Sequence, residues 1–180
     1  MNPLIRRRIL FGSAGLVGTA TAWLAKRGAA TPIETMNATA ERDRVEIIET
    51  VNKIAIRSDR RDWAIVRDCF SEQVEFDYTS LSGGEPVTIT AATQVQQWAD
   101  FFSSTFKTTQ HLIGSHVVTL NGATAGCVAH FQAHHTYLEA SQGTWLLAGT
   151  YNYDLVRTGN GWKVEKMKMT ALWETGNCPF

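Results

Sequence analysis

The sequence predicts a single α+β domain in which a curved antiparallel sheet wraps around three N-terminal helices and encloses a pocket. Apolar residues follow helical spacing up to about residue 106, and alternating patterns joined by tight-turn signals follow from there to the end. The 180 residues, 44% of them hydrophobic, are enough to bury one core. No linker, low-complexity run or internal repeat divides the sequence, so one domain is expected.

Three segments have the periodicity of amphipathic helices. Residues 41–57 place apolar side chains three and four positions apart, which predicts a long first helix. A short second helix is predicted to follow the run Asp59-Arg60-Arg61-Asp62, in which a capping role would explain Asp59 without any chemistry. The third predicted helix covers residues 93–106.

The other segments alternate apolar and polar residues and are predicted to be strands. One strand, over residues 74–79, precedes the third helix, and the run of strands follows it. Two hairpin turns are indicated by Asn121-Gly122 and Asn160-Gly161, because both residue types tolerate a positive φ. The later strands are predicted over residues 116–120, from the first turn to about 138, over 144–157 and over 162–173.

Two of these strands carry polar side chains at alternate positions. Such a set either faces solvent, which is the commoner arrangement, or lines a pocket with chemical groups. The residues are His130, Gln132, His134 and Thr136 on the long strand, and Thr150 and Asn152 on the next.

The first thirty residues have the character of an export signal. Arg6-Arg7-Arg8 precedes a moderately apolar run, and Gly28-Ala29-Ala30 offers the small residues of a cleavage site. Paired arginines followed by x-Ile-Leu resemble a twin-arginine signal. We therefore predict a signal peptide over residues 1–30 and a periplasmic or secreted domain over 31–180, without stable membrane association after cleavage. A retained anchor is the alternative, although the apolar run of about 17 residues is short for one.

The charge distribution argues against a nucleic-acid partner. Five basic residues and no acidic ones lie in the first thirty positions, so the rest has 12 bases against 17 acids, a net charge of about −5. A mildly acidic domain without a basic stripe does not suit a phosphate backbone. The expected partner is instead a small-molecule substrate in the pocket.

The histidines and cysteines show no metal-binding motif. His130 and His134 would lie about 13 Å apart along a strand, too far to converge on one ion without a bend. Cys69, Cys127 and Cys178 have neither paired nor metal-like spacing, and we interpret them as buried thiols. The sequence therefore predicts no metal site.

Five stretches lie in a characteristic order along the chain. They are Ser58-Asp59-Arg60-Arg61-Asp62-Trp63, Phe76-Asp77-Tyr78, Thr109-Gln110-His111-Leu112-Ile113-Gly114, Ala133-His134-His135-Thr136-Tyr137 and Thr150-Tyr151-Asn152. Together they resemble scytalone dehydratase and the wider group of SnoaL-like, NTF2-like cone-fold proteins. The resemblance covers about residues 41–174, and it depends on the order and spacing of the stretches because no single stretch is specific. It implies the NTF2-like cone.

The resemblance also implies the site residues. His111 would be the catalytic base, Asp59 the carboxylate paired with it, and Tyr78 the phenol that polarises a substrate carbonyl. The second histidine of the family falls on His134, and the substrate-binding positions fall on Asn152, Thr150 and Ser58. Ser58 replaces a second polarising tyrosine of the family, and its hydroxyl is too short to reach the same carbonyl directly.

These residue types suit removal of a proton next to a carbonyl. A carboxylate that accepts one imidazole N–H fixes the tautomer and makes the other nitrogen more basic. Tyr78 and Asn152 could donate to the enolate oxygen, and His134 could protonate a leaving hydroxyl. Taken with the resemblance, this chemistry predicts a cofactor-independent dehydratase that eliminates water or a similar group from a small cyclic carbonyl compound. An isomerase, a polyketide-type cyclase and a non-catalytic ligand-binding module on the same fold are the alternatives.

Self-association is predicted from the strand over residues 144–157. One of its faces is apolar and aromatic, and we expect it to lie on the outside of the sheet as a patch that a second copy would cover. The resemblance implies a homodimer or a homotrimer. The face consists of Trp145, Leu147, Tyr151 and Tyr153.

Overall fold

The elements fall in the predicted order, with helices concentrated in the first half and strands in the second. The computed structural model describes residues 31–180, and the predicted signal peptide lies outside this range. In chain order the elements are α1 (Pro32–Asp59), α2 (Trp63–Asp68), β1 (Phe70–Asp77), α3 (Thr79–Ser82), β2 (Val87–Thr90), α4 (Ala91–Thr105), β3 (Phe106–Asn121), β4 (Thr124–Tyr137), a 3₁₀ turn (Ala140–Gln142), β5 (Thr144–Thr158) and β6 (Gly161–Gly176).

Within the described residues the strands form one sheet, in the order β2-β1-β6-β5-β4-β3. β1 and β6 are parallel, and every other neighbouring pair is antiparallel. Register shifts interrupt the β3–β4 pairing between Gly114 and Val117 and the β5–β6 pairing between Ala148 and Gly149. Such bulges bend and twist a strand, so the long strands curve around the helices, which confirms the predicted α+β architecture.

The core lies between the concave face of the sheet and the helices. Ile47 and Val51 of α1 are fully buried there, and the sheet supplies Phe131, Leu155 and Val164. Apolar side chains on these two surfaces remove each other from water, which is the main stabilising contribution to the fold. α1 packs on β3 and β6, while α4 packs on β1 and β3.

Both predicted Asn-Gly turns are confirmed. Gly122 connects β3 to β4 with a φ of +62°, and Gly161 opens β6 after the second turn with a φ of +91°. Glycine adopts these angles without the steric penalty that a Cβ atom brings.

The element boundaries differ from the prediction in two places. α1 begins at Pro32, nine residues early, and residues 32–39 are exposed, so this part of the helix has no apolar stripe that could reveal it. β3 begins at Phe106 rather than near residue 116, because pairing with β4 holds a polar segment as a strand. The short elements α3 and β2 were not predicted. Among residues 31–180, none of the helices combines the length and apolar character needed to cross a bilayer.

The predicted outer apolar patch is wrong, because its residues lie on the concave face. Trp145, Leu147, Tyr151 and Tyr153 are 3%, 3%, 8% and 2% exposed. An aromatic strand face is more stable against the core than in water, and this decides which side of β5 turns inward. This strand face is buried and cannot support self-association, so the homodimer or homotrimer stays a prediction.

The cysteines only partly follow the prediction. Cys69 and Cys127 are buried as expected, whereas Cys178 is exposed. Burial raises the pKa of Cys69 and of Cys127 to about 11, so both thiols are protonated at neutral pH.

Candidate active site

A cavity of about 320 Å³ lies between the concave face of the sheet, α1 and α4. Its walls are largely aromatic and aliphatic, with Trp98 and Phe102 from α4 facing Phe131 and Leu147 from the sheet. Polar groups project into this apolar space at a few positions, His111 and His135 among them. An apolar cavity with few polar groups is the usual form of a small-molecule site.

Asp59 is the last residue of α1, and it is not the cap of α2. The N-cap position of α2 is occupied by Asp62, whose side chain makes no capping hydrogen bond. The Asp59 carboxylate instead reaches β3, where Oδ1 accepts from the Thr109 hydroxyl at 2.8 Å. The capping explanation is therefore wrong, because this carboxylate is committed to a different element.

His111 on β3 makes two contacts with the same carboxylate. Its Nδ1 lies 2.7 Å from Asp59 Oδ1, and its backbone N–H donates to Asp59 Oδ2 at 2.7 Å. The two side chains are only 11% and 12% exposed. The predicted pair thus exists, and hydrogen bonds to both carboxylate oxygens fix its orientation.

The hydrogen bonds also favour the ionised form of Asp59 and select the tautomer of His111. Burial acts to raise the pKa of Asp59, but the hydrogen bonds and the charge of His111 outweigh it, so the pKa is below its ordinary value. The carboxylate is therefore ionised at neutral pH and can only accept. In the neutral form of His111 the proton therefore lies on Nδ1, and the lone pair lies on Nε2 of a ring that lines the cavity.

Three tyrosines line the same cavity. Tyr78 follows the end of β1, with its hydroxyl 3.9 Å from the sulfur of Met167, and Tyr151 and Tyr153 project from β5. Burial raises the pKa of all three phenols above the ordinary value, and the charge of Asp59 adds to the effect at Tyr151. All three phenols therefore stay protonated at neutral pH and can donate hydrogen bonds.

His135 is a buried imidazole that is not among the predicted site residues. It lies on β4, 4% exposed, with its ring 5.6 Å from that of His111 and stacked at 4.6 Å on Trp145. Its Nδ1 lies 3.2 Å from the carbonyl oxygen of Trp145, which can only accept, so Nδ1 carries the proton. Burial, together with the neighbouring His111, lowers the pKa of His135 to about 4.

The structure does not bring all the predicted site residues together. His134 and Asn152 are exposed and do not line the cavity, and Thr150, half-buried, does not line it either. Ser58 and Tyr78 do line it, beside His111. The placement of His134, Asn152 and Thr150 in the pocket is therefore wrong, because successive residues of a strand point to opposite faces.

A signal for the missed residues was present in the sequence. On β4 the position of His135 has the same parity as Ala129, Phe131 and Ala133, all of which are buried. On β5 the inward parity is that of the aromatic residues, among them Tyr151. A histidine or tyrosine that shares the parity of the apolar residues faces the core, and this rule would have found both.

Within residues 31–180, no three His, Cys, Asp or Glu side chains come together in an arrangement that could hold a metal ion. His130 and His134 both lie on the exposed side of β4.

Both the sequence and the fold are similar to those of known proteins. The family model of the SnoaL-like domain matches residues 40–168. The solved structure of the Kfla4162 protein from Kribbella flavida is 30% identical, with 76% of this chain and 95% of that one covered and a TM-score of 0.72. No curated protein matches the sequence.

Two further solved structures are similar in fold at low sequence identity. A candidate scytalone dehydratase from Novosphingobium aromaticivorans is 16% identical, covering 81% of this chain and 93% of its own, with a TM-score of 0.67. The hexachlorocyclohexane dehydrochlorinase LinA-type3 from Novosphingobium barchaimii is 13% identical, covering 81% and 96%, with a TM-score of 0.65. These matches confirm the predicted NTF2-like fold.

Proposed function

Since the chain belongs to the SnoaL-like family, we propose that it is a cofactor-independent lyase that eliminates water or a similar group from a small cyclic carbonyl compound. Proteins of similar fold are named dehydratases and a dehydrochlorinase, and both kinds of enzyme carry out eliminations. The observation that carries the proposal is the contact of 2.7 Å between an ionised Asp59 and the Nδ1 of His111, whose ring lines the apolar cavity.

The first step is removal of a proton from the carbon next to the carbonyl. His111 Nε2 takes the proton, and the Asp59 carboxylate stabilises the imidazolium that forms. A water-poor cavity strengthens this ion pair, because charges interact more strongly at low effective dielectric constant. Such a base contributes about 10²–10⁴ in rate.

The enolate that forms needs donors aimed at its oxygen. Tyr78 and Tyr151 both line the cavity and both phenols are protonated, so either is a candidate donor to the enolate oxygen. Tyr78 was expected from the sequence as a donor, and Tyr151 takes the place of Asn152, the second expected donor.

The leaving group takes a proton as its bond to carbon breaks. His134 cannot supply it from the outer face, and neutral His135 presents a lone pair on Nε2 rather than a proton. The imidazolium of His111 can return the proton it removed, which converts a leaving hydroxide into water and restores the base. The C–H and C–O bonds break, a C=C bond forms, and protons and charge balance.

An assay on cyclic β-hydroxy ketones tests the proposal with purified protein. His111→Ala should lower kcat by about 10²–10⁴, while circular dichroism stays that of the native fold. His134→Ala is the matched control, since it removes an imidazole from the neighbouring strand on the exposed face. Turnover by His111→Ala at the native rate on a substrate that the native protein converts would disprove the proposal.

A further inference from the structure

Arg61 occupies the turn between α1 and α2 and has no part in the chemistry described above. The N–H of Asp62 donates to the carbonyl of Arg57 at 2.9 Å, and the N–H of Arg61 donates to the carbonyl of Ser58 at 3.0 Å. These two bonds define a Schellman motif, and Arg61 stands at its left-handed position with a φ of +63°. Glycine is the usual residue there, because a Cβ atom makes this conformation unfavourable.

The side chain of Arg61 is held close to the His111–Asp59 pair. Its Nη1 donates to the Ser58 carbonyl at 2.8 Å and to the Thr109 hydroxyl oxygen at 2.9 Å. The guanidinium carbon lies 4.9 Å from the centre of the Phe102 ring. That ring is nearly parallel to the His111 imidazole, with 6.2 Å between centroids. The cation therefore lies one hydroxyl group away from the carboxylate that His111 contacts, and the other imidazole near His111, that of His135 at 5.6 Å, has a pKa lowered to about 4.

Hydrogen bonds run in one direction from this cation through Thr109 to the Asp59 carboxylate, which the base contacts from the other side. The Thr109 hydroxyl accepts from Arg61 and has a single proton, which it donates to Asp59 Oδ1. The same oxygen accepts from His111 Nδ1. Donors in series polarise one another, so the guanidinium strengthens the bond from Thr109 that holds the carboxylate.

We propose that Arg61 is a positioning residue, which acts through Thr109 to fix the Asp59 carboxylate and whose charge opposes protonation of His111. This role accounts for an arginine at a position that favours glycine. A base that is kept free of protons works over a wider pH range, so Arg61 extends activity toward acidic pH. The statement about activity depends on the proposed lyase function, whereas the statement about His111 protonation does not.

The test is the variant Arg61→Gly, followed by NMR titration of the His111 ring in the full chain without any substrate. Glycine suits the left-handed turn, so Tm should stay within about 4 °C of the native value. Without the cation, the midpoint of His111 protonation should move to higher pH by about half a unit or more. Thr109→Val should weaken the same relay, and combining it with Arg61→Gly should give less than the sum of the separate shifts.

Arg60→Ala is the matched control, because it removes an exposed cation from the same turn. Its titration midpoint should equal that of the native protein. An unchanged or lowered midpoint in Arg61→Gly, or an equal shift in Arg60→Ala, would overturn the proposal. Should Arg61→Gly fail to fold, Arg61→Asn is measured by the same criterion, since asparagine also tolerates the left-handed region.

The outcomes separate this inference from the proposed function. A shifted titration in Arg61→Gly, combined with full activity in His111→Ala, would reject the lyase mechanism and leave the positioning role standing. An unchanged titration in Arg61→Gly, combined with lost activity in His111→Ala, would reject the positioning role of Arg61 and leave the lyase mechanism standing. With a substrate in hand, the acidic limb of the pH–rate profile should move to higher pH in Arg61→Gly.

Discussion

His111 and His135 face one cavity from neighbouring strands, with nearly perpendicular rings 5.6 Å apart, yet their surroundings differ in kind. The Nδ1 of His111 donates to an ionised carboxylate, and that of His135 donates to a backbone carbonyl within an aromatic wall. A carboxylate stabilises an imidazolium by its charge, whereas burial outweighs the weaker help that the Trp145 carbonyl gives to a charged His135 and lowers the pKa of that imidazole. The hydrogen-bond partner of an imidazole, more than its position in a pocket, therefore makes it a base.

Exchanging the carboxylate for an amide should have the largest effect, because it removes the charged partner that distinguishes His111 from His135. Asp59→Asn removes the charge that supports the His111 imidazolium, and kcat should fall by about 10² or more. An amide has one acceptor oxygen where the carboxylate has two, so either the backbone N–H of His111 or the two donors at the other oxygen lose their acceptor. We therefore also expect a stability loss of about 1–3 kcal/mol by urea denaturation. Native kcat in this variant would show that His111 needs no carboxylate.

The pH dependence of stability reports on the second imidazole, that of His135. The pKa of His135 is about 4 in the folded protein, below its ordinary value of 6.5, so unfolding takes up a proton between these limits. The stabilising contribution of neutral His135 is complete above about pH 6.5 and is lost as the pH falls toward 4, by up to roughly 3 kcal/mol.

His135→Gln isolates this contribution, because glutamine does not titrate and its amide can still donate to the Trp145 carbonyl. Urea denaturation of both proteins at pH 7, 5.5 and 4 should show a steeper loss in the native chain. Parallel curves for the two proteins would contradict the burial of a neutral imidazole.

The smallest effect is expected one residue away. His134 has the opposite parity on β4 and is exposed, so His134→Ala should change Tm by less than about 2 °C and leave kcat unchanged. A clear loss of activity would place His134 back in the site. The measurement thus checks the strand register on which the comparison of His111 and His135 depends.

The sequence predicted the fold class because periodicity and turn chemistry are local. The two Asn-Gly turns, the helical spacing of α1 and α4 and the strand alternation were all visible without the structure. Asp59 and His111 were found through a resemblance whose stretches keep their order and spacing. Those two residues lie 52 positions apart, and only the packing of α1 on β3 brings them within 2.7 Å.

The rest of the site depended on which side of each strand turns inward. Alternation alone separates His134 from His135, and only the apolar residues that share the parity of His135 indicate which of the two faces the core. That choice is made by the whole sheet, where burying Trp145, Tyr151 and Phe131 outweighs any preference of one histidine. The left-handed turn at Arg61 was hidden because an arginine there gives no local turn signal.

The parallel pairing of β1 with β6 has a consequence for folding kinetics. Phe76 pairs with Met167, 91 positions later in the chain. The last strand, β6, therefore connects β1 and β2 to the strands β3, β4 and β5. Contacts between such distant segments close large loops and slow folding. A ribosome-bound chain that lacks β6 can form the β3–β4–β5 meander but cannot join it to β1. We therefore expect folding to finish only after synthesis of β6, and a chain truncated before Gly161 to remain open and prone to aggregation.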